Sequence, residues 1–218
     1  MDIFEAIQNR HSVRSYLDTP IPDETAEKLR GAIGDVNRES GLHFALFTQE
    51  TTGFAGKLKN VRNYIAFAGS GEKLEERIGY YGAKLMLEAQ MLGLNSCWVA
   101  MSFNKGAVTK LMALQEGEKV VNALALGYGE TQGIPHRTKP MKKLCRCDGP
   151  MPDWFRKGME TVILAPTAIN QQQFLFTLAD GTVSARAKLG PCSQIDLGIV
   201  KYYFEIGSGK KVFPPDKK

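Results

Sequence analysis

Apolar residues recur along this chain in two periods, and the alternation between them lays out its elements. Ile3, Phe4 and Ile7 fall at helical spacing, so residues 2–9 predict a short helix. Pro20 and Pro22 then bracket a turn. Ala26, Leu29 and Ile33 share one helical face over 23–33, with Asp23 as the expected cap. Apolar runs at 43–47 and 63–68 predict buried strands, separated by a polar loop over 49–56. The longest helical pattern covers 75–92, carried by Ile78, Leu85, Ala89 and Leu92, and Gly93 ends it as a C-cap glycine. A strand at 96–99, a helix at 105–114 and a strand at 120–126 follow, closed by Gly127-Tyr128-Gly129. Residues 130–152 carry Pro135, Pro140, Pro150 and Pro152 and read as a linker. Beyond it come a helix at 154–164, a strand at 174–178 and a hairpin turn at Asp180-Gly181. Next is a helix at 194–206 with Ile195, Leu197, Ile199 and Tyr203 available for burial. A last strand-like stretch reaches Val212-Phe213.

The order after the linker repeats an order before it. Helix 23–33, strand 43–47 and helix 75–92 correspond to helix 154–164, strand 174–178 and helix 194–206. Gly82 and Gly198 sit at similar places in the two later helices. The pattern predicts an α+β protein with two tandem units, residues 1–149 and residues 150–218.

Composition narrows the class. Of 218 residues, 43% are hydrophobic and 23% charged, ordinary values for a chain that builds a core. The net charge of +5 favours anionic ligands. The basic residues are spread along the chain, with only Lys210-Lys211 and Lys217-Lys218 resembling a tail, so a nucleic-acid partner is not expected. No apolar run approaches the ~20 residues of a membrane span. Asp2 and Glu5 interrupt any signal peptide at the start. Four cysteines make no disulfide framework, and Cys145 and Cys147 stand too close for a structural zinc pair, so reduced thiols and a cytoplasmic location are expected.

Candidate chemistry starts at residues 9–16, Asn-Arg-His-Ser-Val-Arg-Ser-Tyr. Arg10, Ser12 and Arg14 leave a helix end into extended chain. There alternate side chains point the same way and can face one anion. The same three residues would also suit a solvated basic corner with a serine cap. His11 and His136 have no evident metal partners, and no metal is expected.

The motif resembles the opening Arg-Arg-Ser-x-Arg-x-Tyr/Phe of the FMN-dependent nitroreductase family. Three further stretches agree. Residues 93–100, Gly-Leu-Asn-Ser-Cys-Trp-Val-Ala, are similar to the family's Gly-Leu-Gly-x-x-x-Ile-Gly loop. Gly127-Tyr128-Gly129 with Arg137-Thr138-Lys139-Pro140 resembles its late Gly-Tyr and basic-x-basic-Pro pattern. Residues 166–174, Pro-Thr-Ala-Ile-Asn-Gln-Gln-Gln-Phe, resemble Pro-Ser-Ala-x-Asn-x-Gln-Pro-Trp. In the family this last motif lies between the first helix and the first strand, where this chain has 36–41, Val-Asn-Arg-Glu-Ser-Gly, which does not match. Its displacement past the linker resembles the single-chain, two-repeat nitroreductases, in which tandem half-units pack as an internal pseudo-dimer.

The resemblance implies an FMN site. Arg10, Arg137 and Lys139 would grip the phosphate, with His11 beside them in the motif. Ser12 would meet phosphate or ribityl oxygens, and Arg14 the N1–O2 edge of the ring. Val99, Ala100 and Met101 would bring backbone to the N5–O4 edge. Pro166, Thr167, Ala168, Asn170 and Gln172 would complete the site from the second half. The implied activity is ping-pong hydride transfer from NADH or NADPH to a flat acceptor such as a nitroaromatic or quinone. A flavin-binding protein without turnover is the alternative. One complete set of parts implies one FMN per chain and a monomer, a dimer remaining open. Gln173-Phe174 in place of Pro-Trp weakens any inference about the acceptor.

Overall fold

The computed structural model describes residues 1–54 and 58–213. Residues 55 and 56 of the expected loop, and the tail lysines 217 and 218, lie outside the described residues. The chain forms two compact units. Unit 1 comprises Met1–Leu74 and Lys84–Pro135; unit 2 comprises Glu75–Ala83 and the chain from His136 onward. The division therefore falls at Pro135, ahead of the 149/150 boundary expected from the prolines.

Unit 1 opens with α1 (Ile3–Asn9). Asp2 accepts from the Phe4 and Glu5 amides while Glu5 reaches back to the Asp2 amide, a complete capping box. Helix α2 (Asp23–Ser40) runs about two turns past the expected end at 33. Val36 continues its apolar face, and Gly41 stops it in the left-handed conformation at φ 65°. Its N-cap is Pro22, so Asp23 stands in the first turn and does not cap.

Four antiparallel strands follow, β1 (His43–Phe47), β2 (Asn63–Gly69), β3 (Asn95–Val99) and β4 (Lys119–Gly127), in the order β1-β2-β4-β3. The two central strands are buried on both faces, every residue of β2 and all but Lys119 of β4. That is why they read as unbroken apolar runs without alternation. One face packs Val13, Tyr16, Tyr64, Phe103, Val108 and Ala123 into a core. Helix α3 (Leu74–Met91) connects β2 to β3, and Gly93 at φ 84° follows its end. Helix α4 (Lys105–Leu111) stops three residues short of the expected end, with Met112 already extended.

Unit 2 holds a smaller sheet, β5 (Cys145–Cys147), β6 (Phe174–Ala179) and β7 (Thr182–Ala187), in that order. The β6–β7 hairpin turns at Asp180 and Gly181, both at positive φ (49° and 70°), as a two-residue hairpin with this twist requires. Strand β5 pairs parallel to β6 from within the expected linker. Phe174, Phe176, Phe155 and Phe204 stack and edge together beneath the sheet, between α5 (Asp153–Val162) and α6 (Ser193–Ser208).

The expected strand at Val212-Phe213 does not form. Both amides donate instead to the buried carboxylate of Glu205, at 2.9 and 2.8 Å, which also accepts from the Tyr80 hydroxyl at 2.6 Å. Helix α6 meets Glu75–Ala83 of α3 backbone to backbone. A Cβ on Gly198 would lie 1.9 Å from the Glu76 carbonyl oxygen, and one on Gly79 2.0 Å from that of Ile195. Gly79, and not Gly82, is therefore the partner of Gly198. Both glycines stand five residues after the first residue of their helix.

Candidate functional site

In unit 1 the opening motif leaves α1 at Arg10, whose backbone is already extended at φ −72°, ψ 118°. The strip then adds itself to the sheet. The Val13 amide donates to the Ser96 carbonyl at 3.0 Å, and the Leu17 amide to the Tyr128 carbonyl at 2.8 Å. Three of the sequence-predicted segments thus meet here: the Arg10–Arg14 strip, β3, and Gly127-Tyr128-Gly129. Asn95 ties the last two, accepting from the Gly129 amide at 2.9 Å and donating to Gln132 at 3.0 Å. Glycine is required at 129 because a Cβ would meet the Thr131 carbonyl at 2.4 Å. At Gly133 (φ 73°) a Cβ would meet His11 at 2.8 Å.

The three polar residues of the strip are buried to different depths. Arg10 is 3% exposed, Ser12 half-buried and Arg14 exposed. Strict alternation breaks because both Val13 and Tyr16 turn into the core. The Arg10 side chain has no ion pair and no hydrogen bond among the described residues, and its Nε is buried and unsatisfied. The Ser96 hydroxyl on the neighbouring strand is buried and unsatisfied as well. A buried guanidinium without an anion is costly. Both arginines of the strip are felt at Cys97 of β3: burial pushes its thiol up, and Arg14 and Arg10 pull it back. Burial also holds the Tyr16 hydroxyl well above its usual range. Beyond β3, Val99 is buried, Ala100 half-buried and Met101 80% exposed.

In unit 2 the other two segments come together. The loop from Pro166 to Gln172 carries Ile169, Asn170 and Gln172 at φ 46°, 55° and 45°. Such conformations cost free energy for residues other than glycine, most for a β-branched one, and persist where surroundings enforce them. The enforcing contacts are visible. The Ala168 amide and the Gln171 side chain donate to Asp196 at 2.9 and 2.8 Å, and the Gln172 amide donates to the Thr167 hydroxyl at 3.0 Å. Asn170 and Gln172 both donate to the Arg137 carbonyl, at 2.9 and 2.8 Å, and the Lys139 amide donates to Gln172 Oε1 at 2.7 Å. Lys139 Nζ donates to the Gln171 carbonyl at 2.6 Å and to that of Gln172 at 3.3 Å. The amides of Asn170 and Gln172 are thus spent on the 137–139 backbone. The Arg137 side chain stays exposed and unpaired among the described residues.

Sequence reasoning passed over Asp196, Gln171 and Asn95. Asp196 is 2% exposed, and its burial raises the carboxyl to about 6 against the pull of its two hydrogen bonds. An Asp in the first turn of a helix is an ordinary capping signal, and nothing local marks this one as a loop anchor. Among the described residues no group of three or more His, Cys, Asp or Glu side chains could hold a metal, and no helix is long and apolar enough to cross a membrane.

A four-stranded antiparallel sheet with an arginine strip added at its edge, followed in the chain by a smaller sheet with a clamped polar loop, is the α+β fold of the nitroreductases. Residues 2–208 match the family described as "Putative TM nitroreductase", and the chain belongs to that family. Among solved structures it is similar to a "putative nitroreductase" from Thermotoga maritima, at 22% identity and a TM-score of 0.64 over 95% of this chain and 83% of that one. A nitroreductase from Desulfovibrio desulfuricans, solved in complex with FMN and likewise described as putative, matches at 19% identity and a TM-score of 0.54, over 70% and 99%. A "Putative NADH dehydrogenase/NAD(P)H nitroreductase" from Bacteroides thetaiotaomicron matches at 20% identity and 0.52, over 65% and 95%. No curated protein matches the sequence.

Proposed function

We propose that this chain is an FMN-dependent oxidoreductase. It would take a hydride from NADH or NADPH and pass it to a flat acceptor such as a nitroaromatic or quinone. The observation that carries the reading is the Arg10 side chain, 3% exposed and without any anion among the described residues. A cofactor phosphate supplies the missing charge, and guanidinium and phosphate match as fork and tetrahedron. Ser12, two residues on, and Ser96, its neighbour across the sheet edge, offer hydroxyls as further donors. Arg14, exposed at the end of the strip, suits the electron-accepting edge of a ring. When bound, the flavin supplies the hydride chemistry, so the chain needs no nucleophile of its own.

Unit 2 carries cations of the same kind. Two of the three ammonium hydrogens of Lys139 are spent on the Gln171 and Gln172 carbonyls, which leaves one for an anion. The unpaired Arg137 side chain stands two residues before it in the chain. Asn170 and Gln172 then act as positioning residues, setting Arg137 and Lys139 through their backbone. Pro166, Thr167 and Ala168 shape the loop that presents them. At Val99, Ala100 and Met101 the chain leaves β3, and there we expect backbone to approach the ring.

The single-chain, two-repeat reading belongs to this proposal. The order α2-β1-β2-α3 matches α5-β6-β7-α6, and Gly79 and Gly198 meet from the same position of the two later helices. With one set of parts, one FMN per chain is expected, in a monomer. A cytoplasmic setting accords with Cys97, Cys145 and Cys147, which are free thiols. Anaerobic titration of the purified, yellow protein with NADH and NADPH tests the activity. Bleaching of the flavin band is expected. A flavin that stays oxidised would leave a binding protein without turnover, and colourless protein that fails to take up FMN would refute the proposal. Light scattering with flavin counted after denaturation tests assembly, and a strict dimer that sheds flavin on dilution would remove the two-repeat reading.

A further inference from the structure

The sheet of unit 2 turns Phe174 and Phe176 toward its aromatic core, and the alternate residues form a second face, on which Leu175 is buried, Thr177 half-buried and the flanking strands carry the exposed side chains. On that face Arg186 lies opposite Leu175, Ser184 opposite Thr177, and Arg146 of β5 opposite Thr177 from the other side. Lys188 continues the register, its amide donating to the Gln173 carbonyl at 2.8 Å. Side chains alternate along a strand, so Arg146, Arg186 and Lys188 share one face with Thr177 and Ser184. Arg146, Arg186 and Ser184 are exposed. The one acid side chain that follows in the β5 register, Asp148, accepts from the Asp180 amide at 2.8 Å. None of the three cations has an ion-pair partner among the described residues. Among the described residues Lys188 Nζ donates to the Lys143 carbonyl alone, at 3.4 Å. Burial, then Lys139, Arg186 and Arg146, hold the Lys188 ammonium below its usual range, so the four charges act on one another.

We propose that this cationic face is a binding site for the phosphate groups of a nucleotide, and that the nicotinamide dinucleotide donor brings them. Naming the donor rests on the oxidoreductase reading above; the phosphate site itself does not. Two arginines two strand spacings of about 4.8 Å apart, and offset by two residues along the strands, can each hold a phosphate oxygen pair, with the Thr177 and Ser184 hydroxyls as further donors. A nucleic acid fits less well. The positions between the cations are Gln173, Leu175, Thr177 and Ser184, and none offers a ring for a base to stack on.

Calorimetric titration of the whole protein with inorganic pyrophosphate, NADP+ and NAD+ at low salt tests this. The comparison is with an Arg146→Gln/Arg186→Gln variant, whose fold is checked by circular dichroism. Binding of pyrophosphate and NADP+ to the wild type is expected, and both should weaken roughly tenfold in the variant. An equal loss for NAD+ would assign the dinucleotide's diphosphate to the site, and a loss confined to NADP+ its extra phosphate. A loss for pyrophosphate with both dinucleotides unaffected would remove the donor as the source. Wild-type affinities that the variant shares for all three, or no binding of pyrophosphate by either, would overturn the site. So would a single-stranded oligonucleotide that binds and is not displaced by pyrophosphate. The pyrophosphate arm needs neither flavin nor turnover, so its failure and a failure of the flavin proposal are read separately.

Discussion

Gln172 holds Lys139 in place through the backbone: its Oε1 accepts from the Lys139 amide at 2.7 Å while its Nε2 donates to the Arg137 carbonyl at 2.8 Å. One 3%-exposed carboxamide thus bridges both ends of a three-residue basic segment. Gln172→Ala would leave a buried N–H and a carbonyl to find new partners, at about 1–3 kcal/mol for the unsatisfied pair. Urea unfolding should show that loss, and flavin affinity should fall with it. An unchanged unfolding midpoint would show that the bridge does not hold the loop.

Arg10 makes opposite demands on stability and binding. Arg10→Met keeps most of the length of the side chain and removes an unpaired buried charge. The variant without flavin should therefore unfold at higher temperature than the wild type. Its affinity for FMN should fall roughly tenfold to a hundredfold, the loss of one charge-assisted contact of about 1.5–3 kcal/mol. A variant that loses stability and keeps its affinity would point to a purely structural arginine.

Asp196 should make the loop pH-dependent. Its carboxyl is raised to about 6 by burial, against about 3.9 in an unfolded chain. Between those values the folded state binds a proton that the unfolded state has released. Ionised Asp196 therefore costs stability above pH 6, and the cost is relieved on acidification. Relative to Asp196→Asn, the wild type should gain about 2–3 kcal/mol as pH falls from about 7 to about 4. Parallel stability profiles for the two proteins would show that Asp196 does not titrate in this range.

Two glycines should respond in opposite directions to the same substitution. Gly198→Ala drives a Cβ to 1.9 Å from the Glu76 carbonyl oxygen, where backbone must move, and at least ~3 kcal/mol or failure to fold is expected. Gly31 lies inside α2, and a Cβ added there would meet nothing within 4 Å, so Gly31→Ala should stabilise by about 0.5–1 kcal/mol. Thermal melts of the two variants decide both.

The sequence alone determined the elements whose signal is local. The apolar runs of β1, β2 and β4, the helical faces of α1, α3 and α6, and the Asp180-Gly181 turn are written within a few neighbouring residues, because burial and turn chemistry act over that range. The pairing of the 137–139 segment with the 166–172 loop, by contrast, is not written in either stretch. Strand β5 stayed hidden because three residues carry no period, and their partner β6 lies about thirty positions on. Strand β7 alternates too weakly, with Thr182, Ser184 and Arg186 on its open face. Val212-Phe213 looked like a strand because apolar side chains were visible and the Glu205 carboxylate that takes both amides was not. Tertiary structure alone decided that Arg10 is buried without an anion while Arg14 is exposed, and that Asn170 and Gln172 clamp the 137–139 backbone. It also decided that Asp196 anchors their loop, and that Gly79 is the glycine that meets Gly198. Each of these depends on which distant segment comes within hydrogen-bond or van der Waals reach, and hydrophobic periodicity carries no record of that.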